Sequence, residues 1–410
     1  MTDRTHACPA AEAPPHPTAR DPLHPFDPPP GLTAAHERGP LTRLRYPDGH
    51  IGWLVTGHEL ARQVLADARF SARSELKRVP VARPGTDPFY GSPALPGWLV
   101  DMDAPQHTRL RRRLMGWFTV RRTRALTPRV EEIVAERLDA MAELGTGAEP
   151  VDLVEQFALP VPSLVICELL GVPYSERAEF QRNSATLFEL GATAEQAATA
   201  MSELDAFLTE LAGHRRRDPG EDLLSELARG DDLSIAEVAG AGALLLSAGH
   251  ETTAGSLGLG VFALLSHPDQ LARLTADPSL APGAVEELLR YLTIFHFGVP
   301  RCPLEDVELL GQVVRAGESV TVSLSTANRD PSRFDDPNAL DVTRPVSGHL
   351  AFGHGPHQCI GQHLARTEMK IAFPALFARF PTLRLAVPAS QVPRGEDMGF
   401  YGVHALPVTW

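Results

Sequence analysis

HLAFGHGPHQCIGQHLAR, residues 349–366, sets a single cysteine, Cys359, between glycine-bearing segments. Phe352, Gly355, Cys359 and Gly361 run in the order F-x-x-G-x-x-x-C-x-G, and an apolar and basic run with helical spacing follows. Glycines let a backbone pass close to a flat ligand and turn its amides toward a thiolate sulfur, which tunes the electron donation of that sulfur. His354, His357 and His363 are also suitable ligand types for zinc beside Cys359, but their spacing is not that of a recognisable structural site. Cys167 and Cys302 stand in no such context and read as small buried hydrophobes. Cysteines so few and so scattered make no disulfide framework in a chain of 410 residues, and a reducing cytoplasm is the compartment expected.

Upstream, the longest feature runs from Ser234 to Ser266. Ser234 and Glu237 have the S-x-x-E spacing that satisfies the first free amides of a helix, and the apolar run stops before Pro268. At 1.5 Å per residue this predicts a helix of roughly 50 Å, long enough to cross a whole domain. Between Val238 and Ser266 the one formally charged residue is Glu251. A carboxylate inside a buried helix is costly unless it has a task or a partner. The run Ala248-Gly249-His250-Glu251-Thr252-Thr253 sets that acid beside a hydroxyl, a pair able to relay protons, and next to a glycine that permits close approach. The alternative is that Glu251 pairs with a base on a neighbouring helix while the threonines bond back to the preceding turn. A stretch this long also meets the length of a membrane span, but its glycines, its central His-Glu-Thr-Thr and the lack of a basic flank argue against one.

Toward the amino terminus, the first thirty residues hold nine prolines and no apolar run. They read as a disordered or loosely draped tail (1–30) that carries neither a secretory signal nor a membrane anchor. From Leu41, LTRLRYPDGHIGWLVTG alternates about Asp48-Gly49 as a β-hairpin does. Helical spacing then prevails over 59–67, 128–144 and 156–173, and a second small β region is expected over 307–328. With no internal repeat and no linker, the fold class is mainly α with small β-sheets, in one domain over 31–410. A chain 43% hydrophobic and 22% charged is an ordinary globular one, and a net charge of -13 argues against nucleic acid as a general partner.

These segments together resemble the cytochrome P450 family in its soluble bacterial form. Residues 349–366 look like its haem-binding loop. Glu287 and Arg290 form the E-x-x-R of VEELLRY, which alone would read as a solvated helix pair, and Arg344 in LDVTRP matches the arginine that completes a triad with them. AGHETT matches the oxygen-activation stretch of the long central helix, and DMDAPQHTRLRRRL resembles the segment that reaches the haem from the other side. The motifs occur in the family's chain order, and the resemblance extends from roughly Leu41 to Trp410. It implies the cytochrome P450 fold, with the long central helix lying over a cysteine-ligated haem.

The resemblance also implies roles. Cys359 is the axial thiolate of haem b, Glu251 and Thr252 deliver protons during dioxygen activation, and His107, Arg111, Arg301 and His357 are partners of the haem propionates. Phe352, Gly353 and Gly361 shape the loop against the cofactor, while Glu287, Arg290 and Arg344 hold the fold around it. The substrate pocket is expected around 73–99 and at Leu245, Ala248, Ile294, Phe295, Phe297, Val299 and Phe400, with His296 as a polar handle. A wall so bulky and apolar suits a hydrophobic organic molecule. Similar chains commonly hydroxylate or epoxidise macrolides, other polyketides or terpenoids with O2.

Seven arginines fall between Arg109 and Arg124, read either as a solvated helix face or as a docking patch for an acidic electron donor. Family resemblance implies that electrons pass from NAD(P)H through a ferredoxin reductase and a ferredoxin, since no Gly-rich dinucleotide fingerprint follows the haem loop. A monomer without membrane or nucleic-acid partners is expected. The other readings are a haem-thiolate enzyme that uses peroxide or catalyses a rearrangement, and a non-catalytic haem sensor. Neither has the same need of the Glu251–Thr252 pair.

Overall fold

Residues 13–89, 91–145 and 149–410 are described by a computed structural model. Helix α1 (Pro30–Arg38) leads into the hairpin of β1 (Leu41–Arg45) and β2 (Ile51–Val55), whose turn holds Gly49 at φ 83°, a conformation that glycine adopts without strain. Helix α2 (His58–Ala66) and β3 (Phe70–Ser71) follow, and the chain then runs without long elements to α3 (Gln106–Met115). Next come α4 (Val120–Leu144), β4 (Val151–Asp152), α5 (Pro160–Leu170), α6 (Arg177–Phe188), α7 (Ala194–Arg217), α8 (Leu223–Ala228) and the long α9 (Ile235–Ser266). The carboxy-terminal part contains α10 (Pro268–Ala276), α11 (Ala281–Leu292), β5 (Val299–Pro303), β6 (Val307–Leu309), β7 (Gln312–Val314) and β8 (Val320–Val322). It ends with α12 (Leu324–Ala327), α13 (Gln362–Arg379), β9 (Arg384–Leu385) and β10 (Pro407–Thr409).

The first expected β region and β8 of the second enter one sheet of order β1-β2-β8-β5-β3, while β6 and β7 of the second pair as a separate antiparallel hairpin. The β2–β8 pairing is parallel, with Trp53 opposite Val320, and the others are antiparallel. One face of this sheet packs with Leu60, Val64 and Leu65 of α2 to form a small core. The larger core is helical and surrounds α9. That helix opens with both bonds of the predicted capping box, Ser234 accepting from the Glu237 amide and Glu237 accepting from the Ser234 amide. It is buried on nearly every side because α5, α6, α7, α8, α10, α11 and α13 all pack against it, which is why its apolar residues show no single stripe. Among the described residues no helix is long and apolar enough to cross a membrane.

Two expectations need correction. Helix α4 begins at Val120, not at Pro128: Thr119 caps it by accepting from the Arg122 amide, and Pro128 lies inside the helix, whose buried stripe includes Thr123, Val130 and Ile133. The amino-terminal segment is not a loose tail from residue 13 onward, although residues 1–12 lie outside the described residues. Phe26 is buried with its ring 4.9 Å from that of Phe262, and His16 and Arg20 are also buried. The polar backbone of this segment finds partners, as the carbonyls of Pro22, Pro25 and Phe26 accept from Arg394, Tyr401 and Arg329. Prolines fix φ in advance, so an extended segment of this kind loses little entropy on docking.

Candidate functional site

The loop between α12 and α13 is held by three sets of contacts. The Leu350 amide donates to Asn328 Oδ1 at 2.6 Å, the Gly353 amide to the Leu350 carbonyl, and the Cys359 amide to the Phe352 carbonyl at 2.8 Å. From α13, Arg366 binds both carboxylate oxygens of Glu286 on α11 at 2.7 and 3.0 Å, and its guanidinium lies 4.4 Å from the Phe352 ring centre. His349 reaches the same carboxylate at 3.0 Å. Burial would raise the Glu286 carboxyl, but the bonds from His349 and Arg366 outweigh it and hold the group at about 2. Gly355 adopts φ 73° and passes so close to α2 that a Cβ there would lie 2.5 Å from the Leu65 carbonyl oxygen.

Behind the loop, Glu287 and Arg290 are wholly buried and joined by two parallel bonds of 2.7 and 2.8 Å. Arg290 also donates to the carbonyls of Asn328, Pro337 and Ala339, and Arg344 meets Glu287 Oε1 at 3.2 Å. The E-x-x-R pair is therefore the hub of a buried network and not a solvated helix pair.

Among the described cysteines, Cys167 and Cys302 are buried and Cys359 alone is accessible. The Cys359 sulfur is surrounded by protein at longer range, so its accessible surface faces inward. Burial pushes its thiol up, opposed by the Gly361 amide, the Arg111 and Arg366 charges and the Gln362 amide. On α9, Ala248 is exposed and Thr252 partly exposed although the flanking turns are buried, so this face of the helix also borders interior open space. Thr252 Oγ1 donates to the Ala248 carbonyl at 2.6 Å. Glu251 approaches His250 Nδ1 on its own helix, at 3.4 Å, and not a base on a neighbouring one.

A cluster of cationic and imidazole groups stands beside the loop. Arg301 is 5% exposed and His107 3%, and the His107 and His357 rings lie 4.2 Å apart. Burial, then the charge of Arg301, pulls His357 down to about 2, and burial lowers Arg301 to about 10. Lys77, from the irregular segment before α3, joins the cluster as a buried amine paired with Asp101. Arg111 sits at its margin and donates to the Gln358 carbonyl at 2.6 Å, next to the thiol. The nearby acids, Asp101 and Asp103, are already engaged, Asp101 by Lys77 and Asp103 by Ser71 and the Ala72 amide, and His107 Nε2 has no partner. Arg301, bonded among the described residues only to the Pro300 carbonyl, the two imidazoles and Arg111 at the margin are donors that fit a ligand with two carboxylates. A Cβ on Gly353 would meet nothing within 4 Å, consistent with open space beside the loop. The donor set thus fits haem: one inward-facing thiol, glycine-lined backbone and cations for two carboxylates. The zinc alternative fails, because no group of three His, Cys, Asp or Glu side chains is gathered as a metal site among the described residues.

Three aromatic rings from separate segments meet over the other end of the site. Phe400 lies 4.8 Å from Phe295 and 4.7 Å from Phe188, the last residue of α6. The segments bearing Phe188 and Phe400 are tied together by backbone bonds, Gly399 N to Phe188 O at 2.6 Å and Leu190 N to Asp397 O at 2.7 Å. Arg83 donates to the Leu187 carbonyl at 3.0 Å from the 73–99 region. Leu245 is buried on α9, and Ile294 and Val299 flank Phe295 as half-buried residues. The ring contacts of Phe297 are instead with His296, at 3.7 Å, and His16. His296 corrects the expectation of a polar handle: it is 1% exposed and bonded through Nε2 to the Met398 carbonyl. Sequence reasoning missed Lys77 and Phe188, since neither belongs to a motif and only tertiary contact identifies them.

Comparison with known proteins agrees with this geometry. The cytochrome P450 family model matches residues 209–396. The chain is 49% identical over 386 residues to cytochrome P450 105C1 of Streptomyces sp, covering 94% of this chain and 96% of that one. It is 44% identical over 390 residues to pentalenic acid synthase of Streptomyces avermitilis, covering 94% and 95%. The crystal structure of CYP105P1 in complex with filipin I superposes with a TM-score of 0.89 at 43% identity, covering 97% of this chain and 99% of that one.

Proposed function

The chain belongs to the cytochrome P450 family, and from that membership we propose that it inserts one oxygen atom of O2 into a hydrophobic secondary metabolite of macrolide, polyketide or terpenoid type. The observation that carries this reading is the inward-facing Cys359 thiol beside Arg301, a buried arginine with no ion-pair partner among the described residues, and the adjoining His107 and His357 rings. Haem b, when bound, supplies an iron at which dioxygen is reduced so that one oxygen atom becomes available to the substrate. Cys359 provides the ligand sulfur. The Gly361 and Gln362 amides and the charges of Arg111 and Arg366 favour its thiolate form against the cost of burial. Arg301, His107, His357 and Lys77 hold the two carboxylates, and Arg111 ties the loop backbone to α3.

Thr252 Oγ1, already donating to the Ala248 carbonyl, keeps its lone pairs free to accept and orient a proton donor. Glu251, adjacent and only 14% exposed, is the acid that resupplies protons. Phe188, Phe295 and Phe400 bind apolar surface and exclude water. Electrons reach this site from NAD(P)H through a reductase and a ferredoxin. Of the seven arginines, Arg109, Arg113 and Arg122 pair with acids of the chain itself. Arg112, Arg121 and Arg124 remain exposed around Met115 and Val120, a patch that suits an acidic partner.

The test is turnover of a panel of such compounds with a ferredoxin, its reductase and isotopically labelled dioxygen. The reading predicts a product with one labelled oxygen and, for Thr252→Ala, continued NAD(P)H consumption with much less product. An unlabelled product, or unchanged coupling in the variant, overturns it.

A further inference from the structure

Glu286 stands on α11 one residue before the buried Glu287, and two groups from different segments converge on its carboxylate. From α13, Arg366 donates through Nε to Oε1 at 2.7 Å and through Nη2 to Oε2 at 3.0 Å. From the start of the haem loop, His349 meets Oε2 through Nε2 at 3.0 Å. The Ala351 amide donates to the other ring nitrogen, Nδ1, at 3.2 Å, so the imidazole carries its proton on Nε2 and is a neutral donor to Glu286. The carboxyl, held at about 2, is ionised at neutral pH, and it is the acid that balances the Arg366 charge.

Arg366 leads from there to the sulfur of Cys359. Its Nη1 donates to the Gln362 carbonyl at 3.3 Å and to Gln362 Oε1 at 2.9 Å. The Gln362 amide, with that of Gly361, hydrogen-bonds Cys359. The Arg366 guanidinium also lies 4.4 Å from the centre of the Phe352 ring, and the Phe352 carbonyl accepts from the Cys359 amide at 2.8 Å. Its charge is within electrostatic reach of the sulfur and favours the thiolate. An amide or a cation that stabilises a thiolate also lowers the electron donation of that thiolate to a metal. A carboxylate paired with the cation works in the opposite sense. The bonds to Gln362 and the Phe352 ring hold Arg366 independently of Glu286, so the charge of the acid can be removed while the arginine stays beside the loop.

We propose that Glu286 is a positioning residue for Cys359: by gripping Arg366 and balancing its charge, it preserves the electron donation of the sulfur to the haem iron, an inference that rests on Cys359 being the axial ligand. Loss of the negative charge makes reduction of the iron easier, and loss of Arg366 makes it harder. Mere loosening of the loop would move both variants in the same direction.

The midpoint potential of the haem in the substrate-free holoenzyme tests this, after a check for the red-shifted carbonyl Soret band. Glu286→Gln is expected to shift the potential upward and to raise the C–O stretching frequency of the reduced carbonyl complex. Glu286→Asp keeps the charge and stays close to the wild type, whereas Arg366→Gln shifts the potential downward. An unchanged or lower potential in Glu286→Gln, an unchanged or higher one in Arg366→Gln, or a shift in Glu286→Asp as large as that in Glu286→Gln overturns the proposal. Should Glu286→Gln fail to fold, Arg366→Gln decides by the same measurement. A wild-type protein without the Soret band refutes the Cys359 ligation, and this inference with it; the band together with any of the contrary potentials refutes the role of Glu286 alone.

Discussion

His296→Gln removes the titratable ring behind the substrate wall while keeping a donor for the Met398 carbonyl. Burial pulls the His296 ring from its ordinary 6.5 down to about 3, so in the folded protein it stays neutral well into the acid range. Unfolded, the ring protonates from about pH 6.5 downward. The unfolded state then binds more protons, and stability falls as the pH drops. The penalty is absent above pH 6.5, grows as pH falls through the window between the two values, and levels off only near pH 3. At pH 5 it amounts to about 2 kcal/mol from this ring, each unit of separation being worth about 1.4 kcal/mol. His16, held at about 4, adds a similar loss over the same interval. Urea unfolding of the holoenzyme at pH 7.5 and pH 5 measures the difference. The variant is expected to start about 1 kcal/mol below the wild type through loss of the stack on Phe297, and to lose about 2 kcal/mol less on acidification. Parallel stability curves for the two proteins would show that the His296 environment does not depress its titration, and the argument would fail.

Arg290→Lys keeps the charge but forfeits the two parallel bonds to Glu287 and the contacts to three carbonyls, so a loss of about 3 kcal/mol is expected in unfolding experiments, within the range for a broken buried pair. Stability equal to wild type would mean that this network is not the hub described. Gly355→Ala combines a positive φ with a Cβ 2.5 Å from the Leu65 carbonyl and 2.8 Å from Ala66 Cα, and should cost about 2 to 4 kcal/mol with reduced haem content. Gly317→Ala has a similar φ of 80° but open space, and about 1 kcal/mol is expected. Equal effects from the two would refute the close-approach explanation.

Local chemistry made some parts of the molecule readable before any coordinate. The Ser234–Glu237 box and the Asp48-Gly49 turn are decided by neighbours in sequence, and each appears as expected. Tertiary contact decided the rest. The spacing of Glu287 and Arg290 is compatible with a solvent-exposed pair, and only the carbonyls of Asn328, Pro337 and Ala339, far along the chain, make it a buried hub. Proline-rich composition suggested a loose tail because it lacks an apolar run, yet one phenylalanine, Phe26, and a few long-range acceptors suffice to dock residues 13–29. The resemblance set His296 in the pocket stretch as a polar handle, but the ring contacts with Phe297 and the bond to Met398 show that it supports the wall from behind. Lys77 and Phe188 carry no signal in sequence at all, since their partners come from other segments.

The central claim is that Cys359 ligates the haem iron, and the absorption spectrum of the reduced protein under carbon monoxide tests it most directly. The account predicts the strongly red-shifted Soret band of a thiolate-ligated haem carbonyl in the wild type, and its loss in Cys359→Ser. A wild-type protein that binds no haem, or a band that survives the substitution, would contradict it.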